Sequence, residues 1–413
     1  MPVTRLVDEH GSPLYVFDEE TIRAQCRAYT RPLTSNYPDS LVLYAAKAHA
    51  DPTVASIVAS EGLGMDTVSS GEIRVGLAGG MPPERMVFHG NNKLEREIEY
   101  ALAVGIGRIV ADSLDELDLI EDVAKSREQI APVILRITPG VEAHTHDYIR
   151  TGAIDSKFGL PLESGAAEAA VERAMRASCI DLTGLHAHIG SQVFDLEPYA
   201  DTVNIILDFA LEMKHRYGLN LRDFSPGGGF GICYGESDDP PDAHEFVTTI
   251  SHAIDQRNVT PKPRLLIEPG RSIIARSGVA LYRVGTIKDI PGVRTYVSID
   301  GGMADNIRPA LYGAQYSAVI ANRVSANKLE TVTVAGRYCE SGDVVLRDIN
   351  LPPMVRGDIL AIPAAGAYHM AMASNYNLVG RPATVLVNDG TVRVTRPRET
   401  DEDLLLGFSQ PEL

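Results

Sequence analysis

Leu41-Val42-Leu43-Tyr44-Ala45-Ala46-Lys47 is an apolar and aromatic run that ends on a cation. The run predicts a buried strand, and a lysine that closes such a strand needs a physical reason. In apolar surroundings a lysine amine gives up its proton more readily and can form a Schiff base with an aldehyde. Most lysines at strand ends instead reach out to solvent, so this stretch alone leaves both interpretations open.

Eight strand-like runs alternate with helix-like segments between residues 41 and 268, which predicts parallel strands with helices packed outside them. Eight is the number that a closed β/α barrel requires, and such barrels carry their chemistry at the carboxyl ends of the strands. Lys47, His188 and Glu268 fall at such ends. The runs are Leu41–Ala46, Gly64–Val68, Arg85–His89, Arg108–Asp112, Val133–Thr138, Leu182–His188, Arg222–Ser225 and Arg264–Ile267.

Beyond about residue 275 the helical periodicity gives way to β-branched runs separated by turn signals such as Asn388-Asp389-Gly390. These runs predict a second domain of mainly antiparallel strands, which the segment Pro13–Phe17 is expected to join. The sequence therefore predicts an α/β fold with two domains. They are a (β/α)8 barrel over residues 30–275 and a mainly antiparallel β domain over residues 1–29 and 276–413.

The composition is that of a globular protein, since 44% of the 413 residues are hydrophobic and 23% are charged. A formal charge of −17 disfavours nucleic acid and anionic membrane surfaces as partners. Four cysteines lack zinc-site or CxxC spacing, the start is not leader-like, and no run is long enough to cross a bilayer. We therefore expect a cytoplasmic protein with reduced thiols.

A glycine-rich turn, Ser225-Pro226-Gly227-Gly228-Gly229-Phe230-Gly231, follows the seventh run. Glycines let backbone N–H groups approach an anion without a Cβ clash, so the turn favours a phosphate site where late barrel strands often build one. A tight structural turn explains the same residues. The spacing matches neither a dinucleotide fingerprint nor a Walker loop.

Charged and imidazole side chains mark the ends of two other runs. Glu268 could be neutralised by Arg271 as a buried structural pair. Alternatively, Glu268 would hold a protonated ring nitrogen of a cofactor while Arg271 binds a phosphate or carboxylate. His186 and His188 share one face of the sixth run, but no third ligand stands at a recognisable spacing. We therefore expect no metal, and an imidazole stacked on a flat cofactor instead.

Two segments of the predicted β domain also carry reactive groups. Arg308 and Tyr312 offer a guanidinium and a phenol suited to capturing a carboxylate, although a surface arginine is the plain alternative. Cys339 lies in a polar loop that contains glycine, where its thiol can donate a proton.

Together these segments resemble the fold-type III pyridoxal-phosphate-dependent decarboxylases over nearly the whole chain, and most closely the branch that acts on meso-2,6-diaminopimelate. Each motif alone is weak, but their order and joint presence are specific. The motifs are Tyr44–Ala48, His144–Tyr148, Asp155–Gly159, His188–Gln192, Gly227–Gly229, Glu268–Arg271, Arg308–Tyr312, Cys339–Ser341, Gly366–Tyr368 and Ser374–Asn377.

The resemblance implies a role for each of these positions. Lys47 would carry pyridoxal 5'-phosphate as a Schiff base, and Cys339 from a neighbouring subunit, or else Lys47, would return the proton after carbon dioxide leaves. Further cofactor-binding residues would be His188 on the ring, Glu268 at the pyridine nitrogen, Ser191, Gly227, Gly228, Gly229, Gly270 and Arg271 at the phosphate, and Tyr368. Substrate-binding residues would be Arg271, Arg308, Tyr312, Glu340 and Tyr368. The family assembles these sites across a homodimer.

The reaction implied by the resemblance is decarboxylation of meso-2,6-diaminopimelate to L-lysine, the last step of lysine biosynthesis. Racemases of similar fold carry an arginine where this chain has Glu268, so the residue type argues for decarboxylation. The chain departs from the family pattern at His49, at Arg337-Tyr338 and at His369, where a small residue is frequent. Because of these departures, the resemblance leaves the fine details of substrate preference open.

Three other functions remain as alternatives. One is a related decarboxylase of a D-configured basic amino acid or a carboxylated polyamine, which would use the same cofactor site. Another is a cofactor-free regulatory relative, which the presence of Lys47 and Glu268 disfavours. The last is a dinucleotide-dependent oxidoreductase, which the lack of an acidic ribose ligand about 20 residues downstream disfavours.

Overall fold

The computed structural model describes residues 2–141, 156–235, 238–323 and 328–409. The motif His144–Tyr148 therefore lies outside the described residues, as does Asp155. No helix in the described ranges is both long and apolar enough to cross a bilayer.

The chain divides into two compact units. The barrel unit comprises Arg23–Cys233 and Asp239–Ile273. The β unit comprises Met1–Ile22, Tyr234–Asp238 and Ile274–Leu413.

The barrel unit contains eight described strands that pair in parallel and close on themselves, which confirms the predicted (β/α)8 architecture. Closure is complete because the last strand pairs with the first and the fourth pairs with the fifth. Barrel strands 1 to 8 are Ser40–Ala45, Gly64–Thr67, Met86–Phe88, Arg108–Ala111, Ala131–Thr138, Ile180–His186, Asp223–Ser225 and Arg264–Ile267. A two-residue strand, Leu160–Pro161, extends strand 5 on one side.

Helices connect these strands, and several of them begin at a side-chain cap. Asp51 accepts hydrogen bonds from the backbone N–H groups of Thr53 and Val54, and Ser69 and Ser113 each cap the next helix in the same way. The helices are Glu19–Asn36, Pro52–Ser60, Ser70–Ala78, Glu95–Val104, Leu114–Ser126, Ala166–Arg176, Glu197–Tyr217, Ala243–Gln256 and Arg271–Ile274.

A layer of buried apolar side chains fills the barrel between its strands. Full burial of each side chain contributes about 1.5–3 kcal/mol, which offsets the cost of placing charged groups nearby. The layer consists of Leu43, Val87, Val110, Ile134 and Leu266.

The β unit contains nine described strands, and six of its eight pairings are antiparallel, as predicted. Leu14–Asp18 lies between Gly278–Ile290 and Ala383–Asn388, which confirms that the opening segment joins this sheet. The other strands are Arg294–Ile299, Val319–Ile320, Glu330–Ala335, Val344–Leu351, Ile359–Ile362 and Thr391–Arg396, and the helices are Val3–His10, Arg308–Tyr312 and Asp401–Leu405.

Candidate active site

Polar side chains lie two positions after the apolar residues of the barrel layer on most of the strands that carry them. Side chains two positions apart on a strand share a face, so the residue two positions beyond each member of the layer also points inward. At four of the five strands that residue is polar and buried: His89, Asp112, Arg136 and Glu268. The barrel interior therefore changes from apolar to charged toward the carboxyl ends of its strands.

This charged layer borders a cavity of about 390 Å³ in the barrel unit. The size suits a small ring-bearing molecule. Its walls include Lys47, Asp66, His89, Arg136, His186, His188 and Glu268.

Lys47 enters the cavity from a single 3₁₀ turn, Ala46–Ala48, that directly follows strand 1. Both alanines are buried, whereas Lys47 is exposed. The expectation of apolar surroundings for this amine is thus wrong, because the cavity it lines carries acidic and basic groups. The backbone N–H of Ala45 donates to Pro269 O at 3.2 Å, which fixes the turn beside the end of strand 8.

Glu268 follows strand 8 and is held by hydrogen bonds from two neighbouring strands. Ser225 donates to its Oε1 at 2.8 Å, and His186 Nε2 lies 3.1 Å from its Oε2. Burial alone would raise the pKa of Glu268, but His186 and His89 outweigh it and hold that pKa well below its usual range. Glu268 is therefore a buried anion.

Asp66 is a second buried carboxyl in the same cavity. Burial, followed by the neighbouring charge of Glu268, raises the pKa of Asp66 to about 8, while Lys47 opposes the shift. His89 Nε2 lies 3.7 Å from Asp66 Oδ1 and 3.5 Å from Glu268 Oε1. One full negative charge, on Glu268, is thus concentrated at this wall at neutral pH.

His188 lies two residues after strand 6 and accepts a 3.3 Å hydrogen bond at Nδ1 from the N–H of Gly228. Burial, with Lys47 and Arg136 nearby, lowers its pKa well below the usual value. A neutral imidazole therefore lines the cavity beside Lys47.

The triglycine turn is packed too closely for any side chain. A Cβ on Gly228 would lie 1.9 Å from Glu268 O, and one on Gly229 would lie 2.0 Å from Gly190 O. The N–H groups of Gly227 and Gly228 donate to Ser225 and His188. The glycines thus have a structural cause, while the turn itself lies against the segments that carry Glu268 and Ser191.

Ser191 and Arg271 meet at the same end of the barrel, where Arg271 Nη2 donates to Ser191 Oγ at 2.8 Å. Gly270 packs against strand 1, since a Cβ there would lie 2.9 Å from the Cβ of Ala45. The structure therefore places Ser191, the glycine turn, Gly270 and Arg271 on segments that adjoin the strand ends of Lys47 and Glu268.

The remaining candidate residues belong to the β unit. Arg308 begins the helix Arg308–Tyr312 and is 7% exposed, so it is not the surface arginine of the plain alternative. Tyr312 ends that helix, and Tyr368 has a left-handed φ of 61°. Cys339 and Glu340 are exposed in one loop, where the N–H of Cys339 donates to Asn377 Oδ1 at 2.9 Å.

Several cavity residues were not predicted: Asp66, His89, Lys93, Arg136 and Phe158. For Asp66, His89 and Arg136 the signal was a charged or imidazole group inside or directly after an apolar strand. Lys93 lies in the loop after strand 3, and Phe158 lies within the motif Asp155–Gly159. His89, His186 and Glu268 also bring three donor atoms within 4.8 Å of one another, a group that could hold a metal ion. Sequence spacing missed this group because its members come from strands 3, 6 and 8.

Comparison with known proteins agrees with this geometry. Residues 19–275 match the family model described as "Pyridoxal-dependent decarboxylase, pyridoxal binding domain". The diaminopimelate decarboxylase of Bacillus subtilis is 44% identical over 97% of this chain and 92% of its own.

Solved structures are similar over almost the full length. The crystal structure of diaminopimelate decarboxylase from M. jannaschii in complex with L-lysine has a TM-score of 0.93 and 36% identity, covering 99% of this chain and 94% of that one. The Helicobacter pylori enzyme complexed with L-lysine has a TM-score of 0.91 and 33% identity, covering 98% of both chains. The chain belongs to the pyridoxal-dependent decarboxylase family, among the diaminopimelate decarboxylases.

Proposed function

We propose that this protein decarboxylates meso-2,6-diaminopimelate to L-lysine and carbon dioxide with pyridoxal 5'-phosphate as its cofactor. The supporting observation is the presence of Lys47 and the buried anion Glu268 in one cavity of the barrel. Relatives named for this reaction match nearly the whole chain.

The residues present fit this cofactor. Buried atoms at the cavity wall, Asp66 Oδ1, His89 Nε2 and His186 Nδ1, have no hydrogen-bond partner among the described residues. Such atoms call for a polar ligand. An amine on Lys47 suits an aldehyde, and an anion at Glu268 suits a protonated ring nitrogen.

Each end of the cofactor has candidate ligands. Lys47 would hold the aldehyde, His188 the ring face and Glu268 the pyridine nitrogen. The phosphate would be held by Ser191, Gly227, Gly228, Gly229, Gly270 and Arg271, with Tyr368 as a further contact.

When bound, pyridoxal phosphate supplies an electron sink for the pair left behind by departing carbon dioxide. Glu268 stays ionised beside His186 and Ser225, so it can hold a proton on the ring nitrogen that it faces. Lys47 Nζ or Cys339 Sγ then delivers a proton to the reacting carbon. Cys339 is exposed, which leaves its thiol accessible.

The substrate carries two carboxylates, and only one is lost. Arg308 and Tyr312, with Arg271, Glu340 and Tyr368, would hold the rest of the amino acid, including the retained carboxylate. A buried guanidinium suits this task because it stays charged and binds a carboxylate through two hydrogen bonds.

We also propose that the protein works as a homodimer with shared active sites. In this arrangement the barrel domain, residues 30–275, binds the cofactor. The β domain, residues 1–29 and 276–413, contributes the substrate and dimer-interface residues. All four cysteines are thiols, which supports a reducing compartment such as the cytoplasm.

The direct test is to incubate the protein with pyridoxal phosphate and meso-2,6-diaminopimelate and to measure L-lysine. The holoprotein should absorb near ~420 nm through its imine, and Lys47→Ala should abolish both this band and turnover. Turnover of a D-configured basic amino acid or a carboxylated polyamine in place of diaminopimelate would favour the related decarboxylase. An absent band and no turnover of any of these would refute the proposal.

A further inference from the structure

Arg308 is anchored by two phenols within the β unit. Its Nη1 donates to the hydroxyl of Tyr234 at 3.2 Å and to the hydroxyl of Tyr316. Its guanidinium carbon also lies 5.1 Å and 5.6 Å from the centres of these two rings. Among the described residues the hydrogen bonds of Arg308 engage Nη1, so Nη2 and Nε remain the edge that suits a planar carboxylate.

A chain of buried hydrogen bonds continues from Tyr316 away from the arginine. The Tyr316 hydroxyl lies 2.9 Å from Nε2 of His369, whose Nδ1 lies 3.3 Å from the hydroxyl of Tyr15. Tyr15 then donates to Oδ2 of Asp305 at 2.9 Å. His369, Tyr15 and Asp305 are each at most 1% exposed.

One end of this chain has a fixed direction, because arginine only donates hydrogen bonds. The Tyr316 oxygen therefore accepts from Arg308, and the same hydroxyl is bonded to Nε2 of His369. At the other end Tyr15 donates to the Asp305 carboxylate and also lies 3.0 Å from the hydroxyl of Tyr282. His369 thus joins the phenol that anchors Arg308 to the buried pair of Tyr15 and Asp305 through both of its ring nitrogens.

His369 is the member of this chain that is bonded to both Tyr316 and Tyr15. An apolar side chain there would break both of these buried hydrogen bonds, and the phenol of Tyr316 would lose one of the bonds that fix it beside Arg308. The position directly follows Tyr368, where the sequence departs from the small residue that is frequent in the family.

We propose that His369 is a positioning residue that fixes the guanidinium of Arg308 through Tyr316 and so selects amino acids that carry a second carboxylate. The inference rests on the proposed function, specifically on Arg308 as the receptor of the retained carboxylate. Fixing the guanidinium before binding removes rotamer freedom that the substrate would otherwise have to restrict.

The test compares the holoenzyme with His369→Phe, which keeps a flat ring but no nitrogen. Steady-state kinetics with meso-2,6-diaminopimelate are measured together with inhibition by L-lysine, which retains the carboxylate, and by cadaverine, which has none. We expect the KM for diaminopimelate and the Ki for L-lysine to rise about 10-fold, with kcat and the Ki for cadaverine within about twofold of wild type. His369→Gln, which keeps one donor and one acceptor, should recover part of the loss.

Two results would overturn the inference while leaving the proposed function intact. One is an unchanged KM for diaminopimelate in His369→Phe, and the other is equal weakening of L-lysine and cadaverine. Absence of turnover by the wild-type holoenzyme would instead refute the proposed function. Should His369→Phe fail to fold, Tyr316→Phe removes the link together with one anchor of Arg308, so its KM for diaminopimelate should rise at least as much, and an unchanged KM would likewise overturn the inference.

Discussion

Ser225 donates a 2.8 Å hydrogen bond to Oε1 of Glu268, so the carboxylate after strand 8 is fixed by the residue that ends strand 7. His186, at the end of strand 6, faces the other carboxylate oxygen at 3.1 Å. Three adjacent strand ends therefore hold one anion. This geometry, rather than an ion pair with Arg271, explains how a charge survives at a buried position.

Glu268→Gln should lower kcat for diaminopimelate by roughly 10²–10⁴-fold, because the amide keeps the shape but cannot hold a proton on the ring nitrogen. The cofactor absorbance should persist, since Lys47 is unaltered. Ser225→Ala is the matched control, as it removes one hydrogen bond and leaves the charge, and it should lose less than about 10-fold. A Glu268→Gln enzyme as fast as wild type would contradict the role of the anion.

Gly228→Ala should destabilise the barrel unit by about 3 kcal/mol or more, because its Cβ would lie 1.9 Å from Glu268 O, a rigid backbone atom. Urea denaturation measures the free energy of unfolding. Gly71→Ala serves as the control, since its Cβ would meet only Ser69 Oγ at 3.5 Å within the helix Ser70–Ala78. Equal stability of the two variants would show that the turn can open without cost.

Asp305→Asn should change how stability depends on pH. Burial raises the pKa of Asp305 from 3.8 to about 6, against hydrogen bonds from Tyr282 and Tyr15. A carboxyl whose pKa is higher in the folded protein than in the unfolded chain makes its full stabilising contribution at pH values below its pKa in the unfolded chain. That contribution is lost as the pH rises through its pKa in the folded protein.

The free energy of unfolding of wild type, relative to Asp305→Asn, should therefore fall by about 2 kcal/mol between pH 4 and pH 7. Chemical denaturation of both proteins across this range provides the measurement. Parallel pH curves would mean that the carboxyl titrates normally in the folded protein.

Arg308→Ala should raise the KM for diaminopimelate about 100-fold, while the cofactor absorbance stays at the wild-type level, since the barrel ligands are untouched. Arg308→Lys keeps the positive charge but lacks the planar guanidinium that binds a carboxylate through two hydrogen bonds. Its KM for diaminopimelate should therefore lie between those of wild type and Arg308→Ala. Unchanged steady-state kinetics of Arg308→Ala would place the retained carboxylate elsewhere.

Mixing two variants tests the shared site, and with Cys339 as the proton donor each variant alone is inactive. Lys47→Ala and Cys339→Ala, allowed to exchange subunits at equal concentration, should regain about a quarter of wild-type activity, because half of the dimers would each hold one intact site. Each variant incubated alone provides the baseline. No recovery, despite exchange seen by mass spectrometry, would rule out shared sites that pair these two residues.

Local patterns in the sequence predicted the barrel well, because strand ends depend on neighbouring residues. The closing strand Arg264–Ile267 is an example. Lys47 and Glu268 were recognisable for the same reason, since each follows an apolar run directly.

Other parts of the site depend on contacts that sequence spacing does not encode. Asp66, His89 and Arg136 come together only through the register of strands 2, 3 and 5 in the closed barrel. Likewise, the link from Arg308 to His369 crosses 61 positions of the chain. A single sequence does not reveal such a pairing, although His369 already stood out as a departure from the family pattern.

The placement of strand Leu14–Asp18 has a consequence for biosynthesis. Its two neighbours in the sheet begin at Gly278 and Ala383, so this apolar segment is synthesised more than 250 residues before the first of them and more than 350 residues before the second. The barrel strands, all complete by Ile267, are able to assemble on the ribosome well before then. Until Gly278 is made, the strand lacks both of its sheet partners, and its apolar side chains are open to chaperones.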